Sequence, residues 1–128
     1  MTQCTVQEEN GIARLVLEGR LDSLTSPGVQ QQVEELIAGG RRLLVADLRG
    51  LGFVSSAGLR VFMIAQKQLK KAGGEIVLYA APDAVRQVFT MSGFEALFRH
   101  FASPDELSSY LAGRHAAAEA RRQDVAGI

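Results

Sequence analysis

Cysteine is nearly missing from this chain. Cys4 is the single one in 128 residues, so no intrachain disulfide can form, which fits a reducing compartment. Net charge is missing too: 14 Lys and Arg balance 14 Asp and Glu. A nucleic-acid or anionic-membrane surface depends on excess positive charge, so neither is expected as a direct partner. No apolar run is long enough to span a bilayer, and the polar start does not read as a signal peptide. The expected location is therefore cytoplasmic. The usual catalytic patterns are also lacking. Val54-Ser55-Ser56-Ala57-Gly58 has no first glycine for a nucleophile elbow. No glycine run ends in Gly-Lys-Ser/Thr to cradle a phosphate. His100 and His115 stand far apart without a metal-binding context, so no metal or other cofactor is expected. A Ser56–His100–Asp47 triad is set aside, because nothing points to an oxyanion site or a pocket. His100 reads as structural or surface, and the chain reads as a non-enzyme.

What is present is a globular amount of apolar sequence, 47%, enough for one domain with a sizeable core. Its centre is the stretch Leu43 to Leu59. Leu43-Leu44-Val45-Ala46 is a continuous apolar run suited to a strand covered on both faces. Asp47 ends the run, and a loop containing Gly50 and Gly52 is expected to follow. Ser55 and Ser56 then stand directly before a helical segment. Serine there can cap the helix, and a phosphate would also sit well at its free N–H groups.

The rest of the chain supplies alternating elements. Gln3 to Glu8 and Ile12 to Leu17 read as a hairpin around Asn10-Gly11. A helix is expected with Ser26 as N-cap and Pro27 in the first turn, stopped by Gly39-Gly40. Arg41 and Arg42 read as solvated charge flanking a strand. The helix from about Gly58 to Lys71 carries a wide apolar band. Either the band is deeply buried, or a part near Arg60 and Ile64 faces a partner. A strand over Glu75 to Tyr79, a helix from Pro82 to about Ser92, and a short strand near Leu97 to Phe101 follow, with Phe94, Leu97 and Phe98 expected in the core. Ser103-Pro104-Asp105-Glu106 is a capping box for a final helix using Leu107, Tyr110 and Leu111. The expected class is α/β: a mixed sheet of about five strands, with four helices mostly on one face. The domain is expected to span residues 1–112, with 113–128 a weakly helical or disordered tail.

Gly52-Phe53-Val54-Ser55-Ser56-Ala57-Gly58-Leu59-Arg60-Val61 resembles the signature loop of STAS domains of the anti-sigma factor antagonist type. The resemblance runs from about Thr5 to Leu111. It includes Glu18-Gly19-Arg20-Leu21-Asp22, Leu44-Val45-Ala46-Asp47-Leu48, Gly73-Gly74-Glu75-Ile76-Val77-Leu78 and Met91-Ser92-Gly93-Phe94. It implies a STAS fold and a phosphorylation-controlled partner switch. In that scheme the unmodified domain binds a serine-kinase anti-sigma factor with a histidine-kinase-like ATPase fold and frees its sequestered target. Phosphorylation in the loop ends binding, and a PP2C-type phosphatase restores it. Many members read Asp-Ser-Ser-Gly, where this chain has Ser55 and Ala57 at the first and third positions. A Ser-Ala-Gly-Leu-Arg variant also occurs, and by it Ser56 is the expected acceptor, with Ser55 next. Asp22, Ser23, Phe53, Val54, Ser55, Ser56, Ala57, Arg60, Ile64 and Lys67 are the expected partner contacts. Asp47 and Gly58 are expected to order the loop. Serines that only cap the helix, a non-switching scaffold, and a nucleotide- or ligand-sensing module are the alternatives.

Overall fold

Alternation at the N-terminus does give a hairpin. In the computed structural model, which describes residues 2–9 and 11–114, β1 (Thr2–Glu9) pairs antiparallel with β2 (Ile12–Leu21). Gly11 takes φ +79°, a left-handed conformation that glycine adopts at little cost. Asn10, the other residue of the expected turn, lies outside the described residues. Then come α1 (Ser26–Ala38), β3 (Leu43–Val54), α2 (Ser56–Lys71), β4 (Glu75–Tyr79), α3 (Asp83–Met91), a 3-10 turn (Glu95–Leu97) and β5 (His100–Phe101). Residues 104–114 form α4. The five strands lie in the order β1-β2-β3-β4-β5, and every pair beyond the hairpin is parallel.

Side chains alternate across the sheet with period two, and each face has its own cover. Leu15 and Leu17 of β2, Leu44, Ala46 and Leu48 of β3, and Ile76 and Leu78 of β4 share one core with α1, α2 and α3. Val45, Val77 and Tyr79 face the other way and meet Leu107, Tyr110 and Leu111 of α4. Ser103 caps α4, its hydroxyl accepting from the Glu106 amide at 3.1 Å. The expected domain limit at residue 112 falls inside this helix, which continues through residue 114; residues 115–128, where a tail is expected, lie outside the described residues.

Three sequence expectations need correcting. First, β3 does not stop at Asp47. It continues to Val54 because β2 also continues, to Leu21. The two strands pair on through Glu18–Gly50, Gly19–Leu51, Arg20–Phe53 and Leu21–Val54, with two register shifts. The glycines mark an irregular, bulged strand pair, Gly19 adopting φ +91° at one shift, where a side chain would be strained. Second, Ser26 is not the N-cap of α1. Thr25 holds that position, and the buried Ser26 hydroxyl donates to the Asp22 carbonyl. Third, the last strand is only His100–Phe101. Of the residues before it, Phe98 is buried, Phe94 packs at the core margin, and Leu97 is 49% exposed.

Candidate functional site

The two serines stand where β3 turns into α2, and the turn is held from β2. The Ser55 amide donates to the Leu21 carbonyl at 2.9 Å, tying the two strand ends together. Ser55 keeps an extended backbone. Its hydroxyl accepts from the Gly58 amide at 3.3 Å, and its carbonyl accepts from Leu59 at 2.9 Å. Ser55 is therefore the N-cap of α2 and is half-buried. Ser56 is the first helical residue and is exposed. No acidic side chain occupies the first turn, so the positive end of the helix dipole has no carboxylate in that turn. Gly58 lets the helix approach this closely. A Cβ there would lie 2.8 Å from Val54 Cγ2 and 2.9 Å from both Leu21 Cγ and the Leu21 carbonyl oxygen.

Beside the serines, the β2–α1 loop is closed by one carboxylate. Asp22 Oδ1 accepts from the amides of Leu24 at 3.0 Å and Thr25 at 3.1 Å. The Thr25 hydroxyl accepts from the Asp22 amide at 2.9 Å. It lies within donating distance of the Arg20 carbonyl at 2.9 Å and of Asp22 Oδ1 at 3.0 Å. The Thr25 bonds, backbone first, hold the Asp22 carboxyl below the usual carboxylate range. The Asp22 carboxylate braces its own loop; Ser23 and Leu24 form the exposed tip.

Two shallow grooves meet at Arg60. One is lined by Ser56, Arg60, Met63, Ile64, Lys67 and Phe94. The other runs toward α1 past Ser23, Ser26, Gln30, Glu34 and Ala57. Arg60 and Lys67 are exposed and Ile64 is half-buried, so the apolar band of α2 is neither wholly buried nor wholly free. Phe53 is 38% exposed, and the Arg20 guanidinium lies 4.1 Å from its ring centroid.

The structure separates two expected site residues from this group. Val54 is 2% exposed and belongs to the core under α2; in the irregular second half of β3, Leu48, Leu51 and Val54 are the residues turned inward. Asp47 is buried within β3. Its carboxylate pairs with the Arg49 guanidinium at 2.7 and 3.0 Å and approaches Arg14 at 4.0 Å. Those arginines lie over Tyr79, on the α4 side of the sheet. Asp47 thus orders the strand pair rather than the serine turn. His100 is also engaged elsewhere: its Nε2 accepts from the Ala81 amide at 3.1 Å. Burial, then nearby Arg86, lowers its pKa against the opposing pull of Glu95. No group of three His, Cys, Asp or Glu able to hold a metal occurs among the described residues.

Sequence reasoning misses Gln66. It is buried in α2, donates to the Leu97 carbonyl at 2.7 Å and accepts from the Ile76 amide at 2.9 Å. Its one signal is a polar residue on the apolar stripe between Phe62 and Leu69. Phe94 reads by sequence only as core, although with Met63 it lines the groove beside Ser56.

A family model for the STAS domain matches residues 3–107. BtrV of Bordetella bronchiseptica, named as an anti-sigma factor antagonist, is 35% identical over 94 residues, 73% of this chain and 81% of the relative. The anti-sigma-F factor antagonist RsfB of Mycobacterium tuberculosis is 26% identical over 111 residues, 86% of this chain and 90% of the relative. Among solved structures, the antagonist SpoIIAA in its unphosphorylated form matches with a TM-score of 0.76 at 19% identity, over 87% of this chain and 97% of that one. An antagonist from Mycobacterium paratuberculosis matches with a TM-score of 0.77 at 23% identity, over 86% and 93%. At such identities the structural likeness speaks for the fold. Among the described residues, no helix is long and apolar enough to cross a membrane.

Proposed function

The chain belongs to the STAS domain family, and on that premise we propose that it is a cytoplasmic, non-enzymatic anti-sigma factor antagonist switched by phosphorylation. Unmodified, it binds a serine-kinase anti-sigma factor of histidine-kinase-like ATPase fold and releases what that protein sequesters. Phosphate on Ser56 ends the binding, and a PP2C-type phosphatase reverses it. The observation that carries this reading is the division of labour between the serines. Ser55 is half-buried and spends its hydroxyl on the helix cap, whereas Ser56 is exposed on the rim of a groove floored by Met63, Ile64 and Phe94. A phosphoserine adds about −1.5 to −2 charges, and desolvating that charge in an apolar-centred contact opposes docking. About 1.4 kcal/mol already changes affinity tenfold. The STAS domain is the partner-binding unit.

The test is a kinase reaction on wild type, Ser56→Ala and Ser55→Ala, read by mass spectrometry, followed by titration of modified and unmodified protein against the kinase. Phosphate should be lost in Ser56→Ala, and modified wild type should bind at least tenfold more weakly. Undiminished phosphate on Ser56→Ala removes Ser56 from the role. Equal affinity of both forms removes the switch.

A further inference from the structure

The two edges of the sheet are finished differently. At the β5 edge the last strand has only two residues, and Gln66 takes the Ile76 amide that β5 leaves unpaired. At the β1 edge eight residues, Thr2–Glu9, pair with β2 without a register shift and include no proline and no lysine. Those are common devices that keep an edge from joining another chain. Which backbone groups point outward follows from the hairpin. Glu9 and Ile12 close a two-residue turn, and the pair closing such a turn exchanges both its hydrogen bonds. Glu9, Gln7 and Thr5 therefore spend their amides and carbonyls on β2, while Glu8, Val6 and Cys4 turn theirs to the open side. The Cys4 carbonyl shows the direction: Gln32 of α1 reaches it from outside the sheet, through one long bond at 3.4 Å.

A strand of this kind can add to a copy of itself. One antiparallel register sets Cys4 against Val6, Val6 against Cys4 and Glu8 against Thr2, all positions whose backbone groups are open. Directly opposite residues share a face of the sheet. The half-buried Cys4 and Val6, which pack at the margin of the helix-covered core, then cover one another. The exposed Thr5 meets its own copy on the twofold axis. Glu8 faces no second carboxylate and is already held by Arg41 at 2.8 Å. Gln32 gives up one long bond, and the Val6 amide of the copy replaces it. We infer that β1 is a self-association edge, joining two copies of this chain into one continuous sheet. The occupant is a second copy rather than an unrelated strand, because β1 meets itself with apolar opposite apolar and hydroxyl opposite hydroxyl. The chain also carries no net charge to hold two copies apart. β2 and β3 stand between this edge and the serine turn, and the twofold axis reverses strand direction. Both serine turns stay uncovered, at opposite ends of the joined sheet. One strand pair is a small contact, below about 1,200 Å², so the dimer is weak.

The experiment uses the full chain in a Cys4→Ala background, so that an introduced cysteine is the single thiol. Thr5→Cys sits on the axis, at a pair without backbone hydrogen bonds, where a Cα separation of about 4.5 Å accepts a disulfide. Gln7→Cys is also exposed but faces Gln3 of the other copy. Under mild oxidation Thr5→Cys should link into a covalent dimer at least about tenfold faster than Gln7→Cys, read on a non-reducing gel. Sedimentation equilibrium of wild type should show the mass rising with concentration toward twice that of one chain. Thr5→Lys sets two like charges opposite each other and should need severalfold more protein to reach the same dimer fraction. Equal linking of the two thiols overturns the register and the proposal with it, as does a wild type still monomeric at about 1 mM. A dimer that Thr5→Lys leaves unchanged lies on another face and also overturns it. None of these readings involves the anti-sigma factor, so the pairing stands or falls apart from the function proposed above.

Discussion

Gly58→Ala asks whether the serine turn is as tightly seated as its distances imply. The added methyl would meet Val54 Cγ2 at 2.8 Å and Leu21 Cγ and the Leu21 carbonyl oxygen at 2.9 Å. Two of those atoms belong to buried core side chains. The third is the carbonyl that accepts the Ser55 amide, so it cannot retreat without lengthening that bond. Overpacking of this kind costs about 1–3 kcal/mol. Alanine returns up to about 1 kcal/mol through helix propensity. The net expectation is a loss of about 1–2 kcal/mol, which for a domain of this size lowers the melting temperature by roughly 3–10 °C. Urea unfolding should show the loss as a lower midpoint with an unchanged slope, and amide exchange should speed up at Ser55. Gly28→Ala in α1 is the internal control, since nothing lies within 4 Å of the point its methyl would reach and its φ is not left-handed. It should stabilise by about 0.5–1 kcal/mol. Gly58→Ala unfolding at or above the wild-type midpoint, with Ser55 still protected, would refute the reasoning.

Gln66→Leu should destabilise by about 2–4 kcal/mol, because it leaves the Ile76 amide and the Leu97 carbonyl without their side-chain partner; calorimetry showing less than about 1 kcal/mol would mean that water replaces the amide group. The depressed pKa of His100, caused first by burial, makes the unfolded chain bind its proton more tightly than the folded one. His100 therefore adds stability that is present above the unfolded value near 6.5 and is lost as pH falls from there toward the folded value. Unfolding midpoints of wild type should drop below about pH 6.5, and His100→Gln should show a smaller drop over that window; parallel curves would contradict this.

The elements that can be read from the sequence are those whose apolar spacing is local. Leu44-Val45-Ala46, Ile76-Val77-Leu78 and the stripe Leu59, Phe62, Met63, Leu69 announce themselves without reference to any partner. The second half of β3 does not. Gly50 and Gly52 read as a loop, and only the continued pairing with β2, itself shifted at Gly19, makes strand of them. Asp47 looks like a strand terminator for the same reason. Its burial is tolerable because Arg14, on another strand, and Arg49 supply the opposite charge. The paired serines are visible as a helix start. Which of two adjacent hydroxyls caps is a matter of a single backbone angle, ψ 176° at Ser55, and composition does not encode that. Leu24 escapes notice because Asp-Ser-Leu-Thr carries no period from which exposure can be judged.

A switch built here does not need a change of fold. Ser56 and Arg60 stand one helical turn apart on α2, so they share a face, and both line the same groove. A phosphate on Ser56 would therefore have local partners: the amides of the first turn and the Arg60 guanidinium. The same group that adds negative charge to the face would also engage one of the two cations bordering it. The net charge of the face then falls by the phosphate's own charge, about 1.5 to 2 units, and the Arg60 donors are taken up. Modified and unmodified forms would thus differ in electrostatics at one groove, and their affinities should draw closer as salt screens the difference.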